Sequence, residues 1–286
     1  MRVTLPGGWW DDGGRLHRAA ELGVLTGRDE EALTGVAAAA TPRAVTEVLA
    51  RCLHRLGDLQ PVPPAVVREL LVGDREWLLL QLRRATFGDL VRGDLMCPWP
   101  SCGKRVTLEF SAGDVPVRTA PDPRPWYELP LPGSSVVRFR LPTGGDAEEL
   151  GPLAVRDPGS AATLLLARCI GRIGEVADPG PEVVADLPAD DRWRIESEME
   201  RLAPAVDREV DTPCPECGRT FTVTFDIHQY VFGELRTNVS TLYREVHQLA
   251  SHYHWSEAEI MGMPRDRRET YLDVLAGELE RLNDGA

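Results

Sequence analysis

An α+β fold is predicted by three features of this 286-residue chain. Two short cysteine pairs, Cys97/Cys102 and Cys214/Cys217, are each preceded by a strand-like segment and followed by alternating apolar residues. Stretches with apolar residues at i, i+3, i+4 and i+7, the signature of a helix buried on one face, lie before the first pair and after the second. Proline-broken short apolar runs lie between them. The organisation expected is an N-terminal hairpin and helical region over 1–88, a split zinc ribbon made of 89–111 and 208–228, a β-plus-helix insertion over 112–207, and a helical C-terminal region over 229–286.

Each element has a local reason. Val3–Leu5 and Leu16–Leu22 read as two strands of a hairpin, with Pro6-Gly7-Gly8 and Asp11-Asp12-Gly13-Gly14 as turn chemistry. Trp9 and Trp10 sit beside that turn, as an aromatic lid or as an exposed docking patch. Thr26 is a candidate N-cap, with acidic residues in the turn that follows. Thr41 and Pro42 open the next helix, whose stripe Val45, Val48, Leu49, Cys52, Leu53 and Leu56 runs to Gly57. Helices are expected at Pro64–Leu71 and Asp74–Thr86, the latter apolar around most of its circumference and therefore central.

Asp89–Met96 reads as a strand leading into the first cysteine pair, and Val106, Leu108 and Phe110 alternate after it. The insertion is expected to hold strands at Trp126–Leu131 and Val136–Leu141, then helices at Asp146–Leu150, Ser160–Ile173 and Asp190–Leu202. Glu209–Thr212 leads into the second pair, and Phe221, Val223 and Phe225 alternate beyond it. Ser240 is the expected cap of a helix reaching His254. Ser256 and Glu259 form a capping box. Pro264 starts a last amphipathic helix with Tyr271, Leu272, Leu275, Leu279 and Leu282 on its apolar side.

Composition narrows the function. Hydrophobic residues make up 43%, enough for a packed core. Thirty-two basic residues, of which Lys104 is the single lysine, stand against 45 acidic ones, for a net charge of −13. That balance argues against a protein whose main task is gripping nucleic-acid backbone. The arginine bias reads as a property of the source genome. No run approaches the ~20 apolar residues of a spanning helix, and no apolar leader is visible at the N-terminus. A reducing, cytoplasmic setting is expected.

The chemistry resides in the cysteine pairs. Each passage is a knuckle of the form Cys-Pro, a short spacer, Cys-Gly and a basic residue. A short spacing puts two thiolates on one tight turn, and two such turns complete a tetrahedron around zinc. Cys97, Cys102, Cys214 and Cys217 are therefore the expected ligands of one structural zinc, with 111 residues between the pairs. Loop-closure cost grows only logarithmically with length, so a long insertion is tolerated. A disulfide within or between the pairs, and four free thiols, are the other readings. Cys52 and Cys169 fall in apolar stripes and read as core residues. Phosphate loop, nucleophile elbow, metalloprotease helix and dinucleotide fingerprint are all missing, so no catalytic role is expected. His228, His247, His252 and His254 read as packed or surface residues.

Two stretches, "LPGGWWDDGGRLHRAAELGVLTGRDEE" at Leu5–Glu31 and "LYREVHQLASHYHWSEAEIMGMPRDRRETYLDVL" at Leu242–Leu275, together about a fifth of the chain, resemble the T4-like baseplate hub assembly chaperone family. That family is encoded with contractile phage tails and related injection systems, and short members lack the long insertion between the cysteine pairs. The resemblance implies a non-catalytic assembly factor whose partner is a baseplate, hub, spike or tape-measure protein. Trp9, Trp10, Trp255, Tyr271 and Leu275 are the expected partner-binding residues, with the last helix captured in a groove. A stoichiometric baseplate component and a zinc-ribbon nucleic-acid binder are the alternatives.

Overall fold

Backbone groups that find no partner within a sheet must find one elsewhere, and the first strand shows how. The computed structural model describes residues 1–37, 41–132, 135–207, 209–224 and 226–284. β1 (Arg2–Trp10) pairs antiparallel with β2 (Leu16–Leu22), but the register slips between Thr4 and Trp9. Pro6-Gly7-Gly8 is thus a bulge inside one long strand and not the turn expected from sequence. The N–H groups of Gly7 and Gly8 donate to the buried Asp74 carboxylate at 2.7 and 2.9 Å, and Arg18 donates to the carbonyls of Leu5 and Pro6. Gly8 holds φ +96°, a value that favours glycine.

Thr26 precedes α1 (Gly27–Ala37) and exchanges hydrogen bonds with Asp29, as its capping role requires. α2 (Pro42–Cys52) is capped by Thr41 and buries Val45, Val48, Leu49 and Cys52. The helix stops at Cys52. Leu53 and Leu56 remain buried but belong to β3 (Leu53–Leu56), which adds to the open edge of β2 and corrects the longer helical stripe. α3 (Pro64–Glu69) leads into α4 (Val72–Phe87). α4 is central: Leu78, Leu79, Leu80 and Leu82 are fully buried, and so are Asp74, Arg75 and Arg83. A helix surrounded on all sides must bury its polar residues too, and each then needs partners.

β4 (Leu90–Met96) and β5 (Arg105–Ser111) form the first hairpin. The intervening unit starts with β6 (Val117–Arg118), followed by β7 (Tyr127–Pro130), β8 (Val136–Phe139), α5 (Gly144–Arg156) and α6 (Pro158–Cys169). β9 (Ile170–Ile173) and β10 (Val176–Ala177) come next, then α7 (Pro181–Ala185), α8 (Ala189–Leu202) and β11 (Ala205–Val206). The sheet order is β10-β9-β8-β7, and its core contains Val137, Phe139, Leu166, Ile170 and Ile195. α5 continues past Pro152, six residues beyond the end expected at Leu150. The helix expected over Ser160–Ile173 ends at Cys169, because Ile170–Ile173 pairs with β8. β6 and β11 pair with each other and bring the two ends of the insertion together.

β12 (Glu209–Pro213) and β13 (Thr220–Thr224) form the second hairpin; Phe225 and the Leu108 side chain lie outside the described residues. α9 (Ile227–Tyr253) then runs unbroken for 27 residues, capped by Asp226, whose carboxylate accepts from the N–H groups of His228 and Gln229. Ser240 lies inside this helix, whose N-cap is Asp226, which corrects the expected start. Packing against α4 through Ile227, Val231, Phe232 and Leu235 extends the helix back to the hairpin. Ser256 and Glu259 form the expected capping box of α10 (Glu257–Met261), and α11 (Arg265–Asp284) ends the described chain. The molecule is a mixed α+β fold, and none of its helices is long and apolar enough to cross a membrane among the described residues.

Charge ties these units together. Arg268 of α11 has no exposed surface; its guanidinium reaches Glu30 of α1 at 2.7 Å, Glu245 of α9 at 2.9 Å and the Met263 carbonyl at 2.8 Å. In the insertion, the equally buried Asp146 pairs with Arg140 at 2.6 Å and Arg168 at 3.0 Å and accepts from the Thr143 N–H. Burial by itself raises the Asp146 carboxyl, but the Arg140 pair, the Thr143 N–H and Arg168 outweigh it and hold the group well below the usual carboxylate range.

Two outcomes are expected. Arg268→Ala leaves two carboxylates buried together and lowers stability in urea titrations by about 3–5 kcal/mol. For Asp146 the folded pKa lies below the unfolded one, so its stabilisation is present above about pH 4 and fades as pH falls. Asp146→Asn is therefore less stable than the parent by about 3 kcal/mol at pH 7, and the two unfolding curves converge towards pH 2.

Candidate metal centre

The two hairpins end in matching turns. In the first, the Cys97 N–H donates to the Lys104 carbonyl at 2.9 Å, and the Cys102 and Gly103 N–H groups both donate to the Trp99 carbonyl. In the second, the Cys214 N–H donates to the Arg219 carbonyl at 3.0 Å, and the Gly218 N–H to the Cys214 carbonyl at 2.8 Å. Gly103 and Gly218 adopt φ +55° and +71°. Nothing stands within 4 Å of a Cβ built at either, so glycine is needed for backbone conformation and not for space.

These turns bring Cys97, Cys102, Cys214 and Cys217 to one point. Their sulfurs all lie within 4.8 Å of one another, with Cys97 Sγ to Cys217 Sγ at 3.9 Å. A tetrahedral thiolate cage with metal–sulfur bonds of about 2.3 Å spans about 3.8 Å between sulfurs. The donor set fits a metal ion, and the four thiols are free of disulfides. Burial pushes the Cys97 thiol up to about 12. At Cys214 burial acts the same way, but hydrogen bonds from the backbone N–H groups of Cys217 and Glu216 and from the thiols of Cys97 and Cys217 outweigh it, bringing the group down to about 7. A bound cation draws the whole set to thiolate.

Side chains clasp the knuckles to each other. Lys104 Nζ meets Glu216 Oε2 at 2.5 Å; Arg219 donates to Ser101 Oγ at 3.0 Å and lies over the Trp99 ring. Arg105 pairs with Asp94 at 3.1 Å. Below the sulfurs, Leu95, Val106, Phe221 and Val223 make a small apolar floor. A cleft of about 340 Å³ continues from there to Tyr230 of α9, whose hydroxyl bonds both backbone groups of Arg92.

The other expected site residues lie elsewhere. Trp9 packs against the N-terminal core, donates to Glu69 at 2.8 Å and sits 5.6 Å from the His17 ring; Trp10 is half-buried. Trp255 stacks on Tyr253 and meets Tyr271 edge-on, both with centroids 4.7 Å apart, while Leu275 is buried. Val274, Leu279 and Leu282 are exposed apolar residues of α11. Cys52 and Cys169 are core residues whose thiols burial pushes up to about 12. The Glu30–Arg268–Glu245 group has no sequence signal, since nothing local distinguishes these charges from the acids and arginines around them.

The model of the family described as T4 bacteriophage base plate protein matches residues 20–233, from β2 through the insertion and both knuckles into α9. No curated protein and no solved structure matches.

Elemental analysis of the purified protein is expected to give one thiolate-bound metal ion per chain. Cys97→Ser or Cys214→Ser abolishes it, and Cys52→Ser or Cys169→Ser leaves it in place. Chelation is expected to release amide protection in β4, β5, β12 and β13 while Val137 and Phe139 of the insertion core stay protected, as hydrogen exchange reads directly.

Proposed function

This chain belongs to the T4 bacteriophage base plate protein family, and we propose that within it the chain is a non-catalytic assembly factor. It serves as a chaperone for the baseplate or hub of a contractile tail or injection system, and it is folded around a structural zinc. Family membership supports the link to the baseplate. Four thiolates fill a tetrahedral zinc completely and leave no position for water or substrate, which supports a structural and not a catalytic ion.

The surface supports transient holding. Past Leu275, α11 offers Leu279 and Leu282, 41% and 70% exposed, with Val274 alongside. Leu272, Leu275, Leu279 and Leu282 repeat at spacings of three, four and three, the seam of a helix that packs against another helix. Only its outer half is open. A patch of this size suits a reversible complex better than a permanent subunit contact, which is normally large and apolar. The net charge of −13 keeps the molecule soluble with that patch exposed. Trp255, Tyr271 and Leu275 act here by holding α11 in place. The cations beside the knuckles are engaged with Glu216, Asp94 and Ser101, which leaves no basic face there for nucleic acid.

A stoichiometric baseplate component is the second reading, favoured by the family description itself. Quantitative mass spectrometry of finished particles separates the two: a chaperone is absent, whereas a fixed copy number overturns that role in favour of the component. Truncation at Ser240 cuts α9 and removes Arg268 from Glu30, so point variants are the cleaner probe. Leu279→Asp with Leu282→Asp is expected to lose the co-purifying baseplate subunit while retaining one zinc per chain.

A further inference from the structure

The insertion has a surface that the assembly reading does not use. α6 and α8 lie side by side, joined by the Arg192–Thr163 hydrogen bond at 2.8 Å, and between them runs an apolar trough of about 290 Å³. It is lined by Ala162, Leu165 and Leu166 from α6, Met199 from α8, and Ala203 just past the end of α8. The small side chains of Ala162 and Ala203 keep the walls low. The trough shares Pro142, Leu165, Glu200 and Ala203 with a second cavity of about 730 Å³ that reaches the junction with α4. A long groove floored by apolar side chains between two helices is the shape that receives one face of a third.

The rim says what that helix carries. Glu196 and Glu200 stand along it, and Asp207 lies at its far end. The cation among the lining residues, Arg118, donates to the Glu200 carbonyl at 2.7 Å, and Glu196 pairs with Arg192 one turn earlier on α8 at 3.0 Å. Trp193 precedes Glu196 by three residues and Glu200 by seven, which places it on the face of α8 that carries these two rim residues. It is 66% exposed, whereas Trp9 is drawn into the core. An exposed tryptophan beside an apolar groove with an acidic rim is the composition of an interface anchor.

We propose that this trough docks one face of an amphipathic, basic helix of a partner protein, with apolar residues at i, i+3 or i+4 and i+7 flanked by lysine or arginine. A second copy of this chain does not fit. Its exposed helix seam on α11 is bordered by Glu278 and Glu280, which would meet Glu196 and Glu200 with like charge. The same rim repels nucleic acid and anionic lipid. The proposal concerns the insertion and stands apart from the baseplate role.

The test uses the full-length protein and two fluorescein-labelled synthetic helices of identical leucine pattern, one flanked by lysines and one by glutamates, read by fluorescence anisotropy. The lysine helix is expected to bind and the glutamate helix not, with affinity falling as salt is raised. Trp193→Ala weakens binding by at least about tenfold, and Trp126→Ala, an exposed tryptophan elsewhere on the insertion, leaves it unchanged. Glu196→Lys with Glu200→Lys reverses the preference between the peptides. Equal binding of the two helices, no binding of either, equal loss with Trp126→Ala, or unaltered affinity in Trp193→Ala with a native circular-dichroism spectrum each overturns the proposal.

Discussion

The meeting of two cysteine pairs separated by 111 residues is the constraint on which the rest of the molecule depends. Each hairpin alone is a two-stranded ribbon, marginal in water, and neither turn alone saturates a metal. Closing a loop of about 100 residues costs about 5 kcal/mol of chain entropy, whereas a four-ligand zinc site is worth about 10–16 kcal/mol. A bound zinc ion would therefore outweigh the closure. β6 and β11 pair at the two ends of the insertion and so hold its ends close together.

Buried charge does the same service for the helices. Glu30, Arg268 and Glu245 come from three helices spread over most of the chain, and the arginine is wholly enclosed. Such a group adds little stability beyond an apolar core of equal volume, but it is severe on any packing that separates its members. Asp74 under the Gly7-Gly8 bulge and Arg83 against Glu234 act similarly, fastening α4 to β1 and to α9. The second knuckle, α9 and the C-terminal helices are in this way mechanically continuous with the N-terminal core.

Function follows from what this rigid frame leaves outside. Four cysteines that could hold a metal ion lie together, the cations beside them are paired, and the rest of the frame presents surfaces. Two of those surfaces are apolar and helical in form: the outer end of α11 and the trough between α6 and α8. They sit on different parts of the fold.

Patterns confined to one turn or one helix were legible in the residues alone. The two Cys-Gly knuckles, the caps at Thr26, Thr41 and Ser256, the central place of α4 and the core roles of Cys52 and Cys169 each rest on chemistry within a few residues. Where neighbouring segments competed for the same backbone, only the tertiary structure decided. Pro6-Gly7-Gly8 became a bulge because Asp74, distant in sequence, satisfied its N–H groups. Leu53 and Ile170 left their helices because open sheet edges lay beside them. Ser240 disappeared into α9 because α4 offered that helix a face to pack on. Tyr271 and Leu275 fall on the apolar side of the last helix by periodicity, yet periodicity does not distinguish a face buried within the chain from one left for a partner. That distinction is made by which apolar surfaces the chain itself covers, and it exists only once the fold is complete.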